Sequence, residues 1–495
     1  MKKYTIIANK NIKVGKIEDE LYSSFIEHLG RCVYGGIYQP SHPDADEEGF
    51  RKDSLEAIKK LKLSLVRYPG GNFVSGYNWE DGIGPRENRP ERREEAWHSI
   101  EPNWIGTDEF MSWCKKADVM PMMALNLGTG TTDNARNLVE YCNSDGDGKY
   151  ANLRRKYGDS KPYGVKYWCL GNEMDGDWQI GHMPVEGYIA KAHEAAEKIK
   201  SVDPSVKFIA CGSSHIDMPT FPEWDRKVLE GLYDDIDYLS VHQYFYESTT
   251  EDDFYASYLA MDKYINTLRS VLNYAKAAKR SKKDIYLCFD EYNIWYNINP
   301  IPNDWMVAPH LTEEYQSLKD TIVFGGLLNS LLNNCDIVKI ACLAQLINVI
   351  APIMTEDNGR LLYNGIFYPL KHATDYNRGE TLKTWITEGD QFDSRFGKAS
   401  YISQAITVND GLIVINLSNY AKEDAEVAIS LSGFKNLTLD HHSSIFGDDM
   451  NVRNSFDNPY NIVPKEMKDT VKINGEKVTI TLKPQSWNSI VLRNE

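Results

Sequence analysis

Residues 165–173 read VKYWCLGNE, a continuous apolar run that ends in a glycine, an amide and an acid. A strand with one wet face alternates between apolar and polar residues, whereas a strand buried on both faces is apolar throughout. The run therefore predicts an interior strand of a parallel sheet, with Asn172 and Glu173 at its carboxyl end. Residues 285–291, IYLCFDE, repeat the pattern and end in Asp290 and Glu291.

Runs of this kind recur eight times between residues 20 and 380. They are 23–28 (SSFIEH), 63–68 (LSLVRY), 121–127 (PMMALNL), 165–170 (VKYWCL), 208–211 (FIAC), 238–244 (YLSVHQY), 285–289 (IYLCF) and 337–346 (IVKIACLAQL). Several segments between them, such as 53–61 (DSLEAIKKL), have helical periodicity. Strands alternating with helices in this way predict an α/β protein with a (β/α)8 TIM barrel at residues 20–380.

Residues 381–495 have short β-rich runs and no helical pattern. Runs 399–408 (ASYISQAITV), 411–417 (GLIVINL) and 425–431 (AEVAISL) predict strands, and 471–482 (VKINGEKVTITL) predicts a hairpin that turns at Asn474 and Gly475. We expect an all-β sandwich of the jelly-roll kind over residues 381–495. Residues 1–19 are also β-like, and because domain termini often lie close together we expect them to complete this sandwich.

Composition limits the classes of partner. Lys and Arg number 55 against 71 Asp and Glu, and the resulting net charge of −16 disfavours nucleic-acid binding, which needs a basic patch. No apolar run approaches the roughly 20 residues that span a bilayer, and residues 1–15 hold too short an apolar core for a signal peptide. No C-x-x-C pair or ligand cluster indicates a metal or redox site. We therefore expect a cytoplasmic protein with no metal, cofactor, membrane or nucleic-acid partner.

Polar side chains stand at the carboxyl ends of the predicted barrel strands, where barrel enzymes carry their chemistry. They include Glu27, Arg67, Asn72, Asn126, Asn172, Glu173, His242, Gln243, Tyr244, Glu291 and Gln345. Two carboxylates across a pocket suit glycoside hydrolysis, because one protonates the leaving oxygen while the other attacks the anomeric carbon or activates water there. Glu173 and Glu291, at strands four and seven, are the natural pair.

Four of these side chains suit supporting roles. Asn172 is placed to hydrogen bond the sugar hydroxyl next to the reacting carbon, and Glu27 to bind further hydroxyls. Tyr244 is placed to orient the nucleophile. The positive charge of Arg67 is expected to keep a nearby carboxylate ionised.

Several assignments stay open from the residues alone. Asp290 competes with Glu291 as nucleophile, but strand alternation lets only one of them face the pocket, and Cys288, on the side of Asp290, is expected to face outward. His242 is interpreted as a structural hydrogen bonder rather than a proton shuttle. Three tryptophans on loops after strands two, four and seven are either sugar platforms or packing residues: Trp97, Trp178 and Trp295.

Longer blocks around these positions resemble a known family. The sequence is similar to the intracellular α-L-arabinofuranosidases of glycoside hydrolase family 51. The matching blocks are FIEHLGRCVYGGIYQP, LVRYPGGNFVSGYNWEDGIGP, NLGTG, VKYWCLGNEMDG, LSVHQY, FDEYNIW and VKIACLAQLINVIAPI, in the right order over about residues 25 to 355. Many enzymes of the wider clan share only the Asn-Glu pair and the second glutamate. The VRYPGGNF and GNEMDG blocks are therefore what favours family 51 over other families of the clan.

The resemblance implies a retaining mechanism in a barrel that carries a β-sandwich, without a metal or organic cofactor. It makes Glu173 the general acid/base and Glu291 the nucleophile. The family's arabinose-binding positions fall on Glu27, Asn72, Asn172, Tyr244 and Gln345, with Arg67 beside the nucleophile and Trp97 and Trp295 near the sugar. The implied reaction is the exo-acting release of terminal non-reducing α-L-arabinofuranosyl residues from arabino-oligosaccharides, arabinan or arabinoxylan fragments by double displacement. Members are commonly hexamers, so a homohexamer is expected.

The chain departs from the family pattern at two places. Tyr292 stands where many members have Trp, and Phe245-Tyr246 stand where many have Tyr-Gly. Both are expected at the pocket mouth, where they bear on the preference among linked sugars. Two alternatives remain. One is another retaining glycosidase of the clan, such as a β-xylosidase or endoglucanase. The less well supported one is a non-catalytic carbohydrate-binding protein, which would normally have lost at least one of Glu173, Glu291 and Asn172.

The paired glutamates also predict an order of pKa values. Two carboxylates about 5 Å apart repel one another as anions, so one pKa should rise. Because Arg67 and the Tyr244 hydroxyl favour the ionised form of Glu291, the pKa of Glu173 is expected to be the one that rises.

Overall fold

The computed structural model describes residues 1–298, 301 and 304–494. Within them, eight parallel strands close into a barrel and hydrogen bond in chain order around the ring. They are β1 Ser23–Phe25, β2 Leu65–Tyr68, β3 Met120–Ala124, β4 Tyr167–Leu170, β5 Lys207–Cys211, β6 Tyr238–Phe245, β7 Tyr286–Ile294 and β8 Val338–Ala344. Each predicted run overlaps one of these strands, and the predicted barrel is confirmed.

The barrel interior is filled mainly by side chains that point inward from the strands. With Val74 of the turn after β2, they form a buried cluster of Phe25, Leu65, Met122, Ala124, Tyr167, Cys169, Ile209, Cys288, Ile340, Cys342 and Ala344. Cys288 belongs to this cluster, so the expectation that it faces outward was wrong. The filled interior closes the barrel below, which leaves the carboxyl ends of the strands as the place for a cavity.

Helices cover the outside of the barrel. In the described part of the chain they are α1 Lys52–Lys60, α2 Thr107–Ala117, α3 Thr132–Asn143, α4 Lys149–Tyr157, α5 Val185–Lys200, α6 Glu223–Leu232, α7 Glu251–Tyr255, α8 Ser257–Lys279, α9 Leu318–Asn333 and α10 Phe367–Tyr376. None of these helices is both long and apolar enough to cross a membrane. In α1, Leu55 and Ile58 are buried against the barrel while the lysines of its last turn stay in water.

The loops contain short strands and 3-10 turns. Short strand pairs are Arg92–Glu94 with Ser99–Glu101, Ile353–Thr355 with Leu361–Tyr363, and Gln391–Ser394 with Gly397–Ser400. Single 3-10 turns are Asp19–Leu21, Asn72–Gly76, Trp79–Gly82, Arg86–Asn88 and Lys468–Thr470. The first strand pair lies in the long loop after β2, which carries Trp97.

Beyond the barrel the chain is mostly strand, as predicted. Ten strands form one sheet in the order Lys465–Glu466, Leu437–Ile445, Ser486–Asn494, Leu412–Asn419, Ile402–Asn409, Glu380–Glu388, Lys2–Lys16, Ala425–Ser432, Lys477–Leu482 and Val471–Asn474. The last two pair as the hairpin predicted at Asn474 and Gly475. Apolar side chains from eight of the strands share one core, so the sheet encloses it.

The strand Lys2–Lys16 lies inside this sheet. It pairs antiparallel with Glu380–Glu388 and parallel with Ala425–Ser432. This pairing supports our proposal that residues 1–19 and 381–495 form one domain beside the barrel.

Helix α9 lies between the barrel and the C-terminal sheet. Nearly all of its residues are buried, and it hydrogen bonds the sheet at three places, one of them from the Asn329 amide to the Ser403 hydroxyl at 3.2 Å. The Ser418 hydroxyl donates to the carbonyl of Ile322 at 3.1 Å, and the Asn333 amide donates to the carbonyl of Gln404 at 2.7 Å. The sheet therefore packs on a barrel helix, away from the carboxyl ends of the strands.

Candidate active site

A cavity of about 790 Å³ opens at the carboxyl ends of the barrel strands. Eight of the side chains proposed from sequence line it: Glu27, Asn72, Trp97, Glu173, Tyr244, Glu291, Trp295 and Gln345. The other two, Arg67 and Asn172, lie beneath its floor with 1% and 2% exposure. The structure thus brings all ten proposed residues together.

Glu173 and Glu291 face each other in this cavity. Glu173 follows β4 in a left-handed backbone conformation with φ 44°, which costs a non-glycine residue on the order of 1–3 kcal/mol. A carboxylate oxygen of Glu173 lies within 4.8 Å of one of Glu291. Retaining glycosidases hold this pair about 5 Å apart, whereas inverting ones leave about 6.5–9.5 Å for a water. The geometry is therefore of the retaining type.

The carboxylate of Glu291 is held by two donors. Arg67 Nη1 donates to Oε1 at 2.7 Å, and the Tyr244 hydroxyl donates to Oε2 at 2.8 Å. The same guanidinium reaches Asn172, donating from Nη2 to Oδ1 at 2.6 Å. Arg67 therefore orients the carboxylate and the amide together.

The carboxylate of Glu27, in the cavity wall, accepts hydrogen bonds from three N–H donors. Its Oε1 accepts from the Phe73 N–H and from the Trp97 indole, both at 3.0 Å, and its Oε2 accepts from Gln345 Nε2 at 3.1 Å. Burial, assisted by the charge of Glu291, raises the pKa of Glu27 to about 8 against the pull of these N–H groups. Glu27 therefore carries a proton near neutral pH and offers a sugar both a donor and an acceptor.

The three tryptophans differ in their contacts. Trp295 meets the ring of Tyr244 edge-on, with centroids 5.1 Å apart, and its indole N–H has no acceptor among the described residues. Trp178 is 45% exposed, stacks on His215 and donates to Glu173 Oε2 at 2.6 Å. This link to Glu173 was missed from the sequence, although Trp178 lies only five positions after Glu173.

A β-bulge sets the orientation of the residues around Glu291. The pairing of β7 with β6 changes register between Cys288 and Glu291, and such an extra residue breaks the alternation of sides. Asp290 consequently lies on the same side of the strand as Glu291, below the cavity, where Arg67 Nε lies 3.2 Å from it. Glu291 lines the cavity and Asp290 does not, so the expectation that only one of them faces the pocket is confirmed, although the alternation of sides on which it rested is broken.

His242 lies between the acidic side chains. Its Nδ1 donates to Glu173 Oε1 at 2.9 Å and is 3.7 Å from Glu291 Oε2, while Nε2 is 3.4 Å from Asp290 Oδ1. Burial opposes a charge on this ring, but Glu291 and Asp290 outweigh it and hold the pKa of His242 well above its ordinary value. The raised pKa favours the imidazolium form, which places a buried cation among three acids.

This cation reverses the expected order of the two glutamates. Burial raises the pKa of Glu173, but the hydrogen bond and charge of His242 outweigh it, so the pKa of Glu173 lies below its ordinary value. Burial keeps the pKa of Glu291 above its ordinary value despite His242 and Arg67. The expected order took account of Arg67 and Tyr244 but not of His242, whose place between the strands only the fold reveals.

Glu173, His242 and Glu291 are also the described side chains whose ligand atoms lie close enough to hold a metal ion, within 4.8 Å of one another. The chemistry of this set does not suit a metal. Both ring nitrogens of His242 face carboxylates, and the raised pKa favours a proton on each, which leaves neither with a free lone pair. In that form the ring supplies the positive charge that a metal would otherwise bring.

The two departures from the family pattern lie only partly where expected. Tyr292 is 1% exposed and stacks on Phe324, and Phe245 is 6% exposed within the core. The expectation of a place at the pocket mouth was wrong for these two residues. It is confirmed for Tyr246, which is 54% exposed and lines the cavity.

Comparison with known proteins places the chain among arabinofuranosidases. Residues 57–265 match the model of the alpha-L-arabinofuranosidase 1 domain and residues 290–486 that of the alpha-L-arabinofuranosidase C-terminal domain. The chain is 45% identical over 505 residues, with full coverage of both chains, to an intracellular exo-alpha-(1->5)-L-arabinofuranosidase of Bacillus subtilis. It is 40% identical to an exo-alpha-(1->6)-L-arabinofuranosidase of Bifidobacterium longum, covering 98% of this chain and 96% of that one.

A solved structure agrees over the whole chain. A family 51 alpha-L-arabinofuranosidase from Bifidobacterium longum superposes with a TM-score of 0.93 at 38% identity, covering 99% of each chain. The predicted family is thereby confirmed: the chain belongs to the α-L-arabinofuranosidases of glycoside hydrolase family 51.

Proposed function

We propose that this protein is an exo-acting, retaining α-L-arabinofuranosidase that removes terminal non-reducing arabinofuranosyl residues from arabino-oligosaccharides and fragments of arabinan or arabinoxylan. The observation that carries the proposal is the carboxylate pair of Glu173 and Glu291, within 4.8 Å at the head of a family 51 barrel. Groups that can hydrogen bond sugar hydroxyls surround that pair. An enzyme that binds one terminal sugar requires such groups.

In the first step Glu291 attacks the anomeric carbon from the face opposite the leaving group. Glu173 gives a proton to the glycosidic oxygen as that bond breaks, and a β-linked glycosyl-enzyme forms. Arg67 and Tyr244 hold the attacking carboxylate in one orientation, so little rearrangement is needed. Glu27 lies in the cavity wall, where it can hold sugar hydroxyls.

In the second step Glu173 takes a proton from water, which attacks the same carbon and releases arabinose with the α configuration. Glu291 has lost its charge in the covalent intermediate, so it no longer repels the negative charge that Glu173 carries as the base. Two inversions at one carbon give net retention.

An aryl glycoside panel tests the activity. We expect 4-nitrophenyl α-L-arabinofuranoside to be hydrolysed at least a hundredfold faster than the β-D-xylopyranoside or β-D-glucopyranoside. Proton NMR should show the α anomer of arabinose first. Faster cleavage of the xyloside would favour the alternative of a β-xylosidase, and first release of the β anomer would contradict the retaining pair. Absence of any hydrolysis would favour the carbohydrate-binding alternative.

We also propose that the protein works inside the cell on short imported oligosaccharides and assembles as a homohexamer, as the family resemblance implies. Light scattering after size exclusion should then give a mass of about 340 kDa, six chains of 56.5 kDa. A mass near that of one chain would contradict the hexamer without touching the activity.

A further inference from the structure

Beneath Glu173 lies an array of buried polar groups in which Ser240, His242 and Asp290 have no role in the proposed mechanism. The Ser240 hydroxyl donates to Asp290 Oδ1 at 2.5 Å and lies 3.2 Å from His242 Nε2. Asp290 in turn faces Arg67 and, at 4.0 Å, the thiol of Cys169. Ser240 and Asp290 therefore hold the imidazole from behind, with Nδ1 directed at the carboxylate of Glu173.

Every member of this array is removed from water. The side chains of His242 and Asp290 are 3% and 1% exposed, and that of Glu173 is 11% exposed. In such surroundings two opposite charges at hydrogen-bond distance attract far more strongly than in water. A proton that leaves either Nδ1 of His242 or Oε1 of Glu173 has the other atom as its nearest acceptor.

We propose that His242 is a positioning residue that shares one proton with Glu173 and thereby sets the pH at which the catalytic acid is lost. This inference rests on the proposed role of Glu173. At rest the proton lies on Nδ1, with Glu173 an anion. When the glycosidic oxygen arrives, the proton passes from Nδ1 to Oε1, so the imidazolium becomes neutral imidazole and the carboxylate becomes the acid. After the second step the proton taken from water returns to Nδ1.

Sharing the proton shifts the pH at which it is lost in one direction only. Glu173 and His242 lose their last shared proton at a pH that depends on both sites together. Adding a second site that can hold the proton always raises that pH above the value for Glu173 alone. A tenfold preference for His242 corresponds to a rise of about one pH unit. The groups that face His242 are Glu173, Asp290, Glu291 and Ser240, with Arg67 and Tyr244 on the far side of Glu291.

His242→Asn tests the proposal, because an amide can still donate to Glu173 but cannot give up a proton. On an alkyl α-L-arabinofuranoside, whose leaving group needs protonation, we expect the alkaline limb of kcat/KM to move at least one unit to lower pH. The matched control is His193→Asn. It removes a histidine of α5, far from the cavity, that is also paired with an acid, Asp235. The alkaline limb of this variant should not move. An unmoved limb in His242→Asn would overturn the proposal.

Nitrogen-15 NMR of labelled histidine gives a readout that needs no turnover. Among the 11 histidines, we expect one to titrate well above the ordinary histidine value of about 6.5 and to titrate at least one unit lower in Glu173→Gln. A His242 that is neutral at pH 7, or that ignores Glu173→Gln, would refute the sharing even in an active enzyme. Failure of the arabinofuranosidase assay itself would instead reject the proposed function and leave the histidine titration interpretable.

Discussion

Glu291→Ala is expected to lose turnover of every arabinofuranoside by roughly four to six orders of magnitude, the loss typical when a covalent nucleophile is removed. No other carboxylate can replace it. Asp290 is nearest in the chain, but it lies below the cavity, paired with Arg67 and Ser240. Steady-state assays with an activated aryl substrate measure the loss. The matched control, Glu186→Ala, removes an exposed glutamate of α5 paired only with Lys227 and should keep full activity.

The identity of the nucleophile can be checked from the reaction products as well as from the loss of turnover. Azide enters the space left by Glu291→Ala and attacks the substrate directly, with one inversion, so any product should be the β-arabinofuranosyl azide. Mass spectrometry of an enzyme trapped at the glycosyl stage should locate the arabinosyl group on Glu291. A label on Asp290 would contradict the assignment drawn from the bulge in β7.

Glu173→Ala is expected to affect substrates unequally. With a nitrophenolate leaving group the first step needs little proton assistance, so the glycosyl-enzyme should form and then hydrolyse slowly without its general base. With an alkyl leaving group the first step itself should slow by about 100- to 10,000-fold, the usual contribution of a positioned acid. A burst of nitrophenolate followed by a slow steady rate is the expected signature.

Azide should restore the second step in Glu173→Ala, because this anion needs no deprotonation. It attacks the β-linked intermediate from the opposite face, so the product should be the α-arabinofuranosyl azide. The two variants therefore give azides of opposite configuration, which NMR distinguishes. An α-azide from Glu291→Ala and none from Glu173→Ala would mean that the roles are reversed.

Much of the barrel follows from the sequence. Strands buried on both faces must be apolar throughout, so runs such as those before Glu173 and Glu291 mark parallel strands without any knowledge of their neighbours. The carboxyl ends of such strands meet at one face of a barrel, which is why ten side chains far apart in the chain could be assigned to one cavity. The similarity of long blocks then indicated the family.

The tertiary structure alone decided how side chains within that cavity are turned and charged. The bulge that places Glu291 on the same side of β7 as Cys288 and Asp290 depends on how β7 pairs with β6, and a register shift has no marker in the residues of one strand. The burial of Tyr292 and Phe245 likewise depends on what packs against them. The pKa order of Glu173 and Glu291 depends on His242 of β6, whose ring lies close to both carboxylates. Electrostatic energy follows distance in space rather than position in the chain.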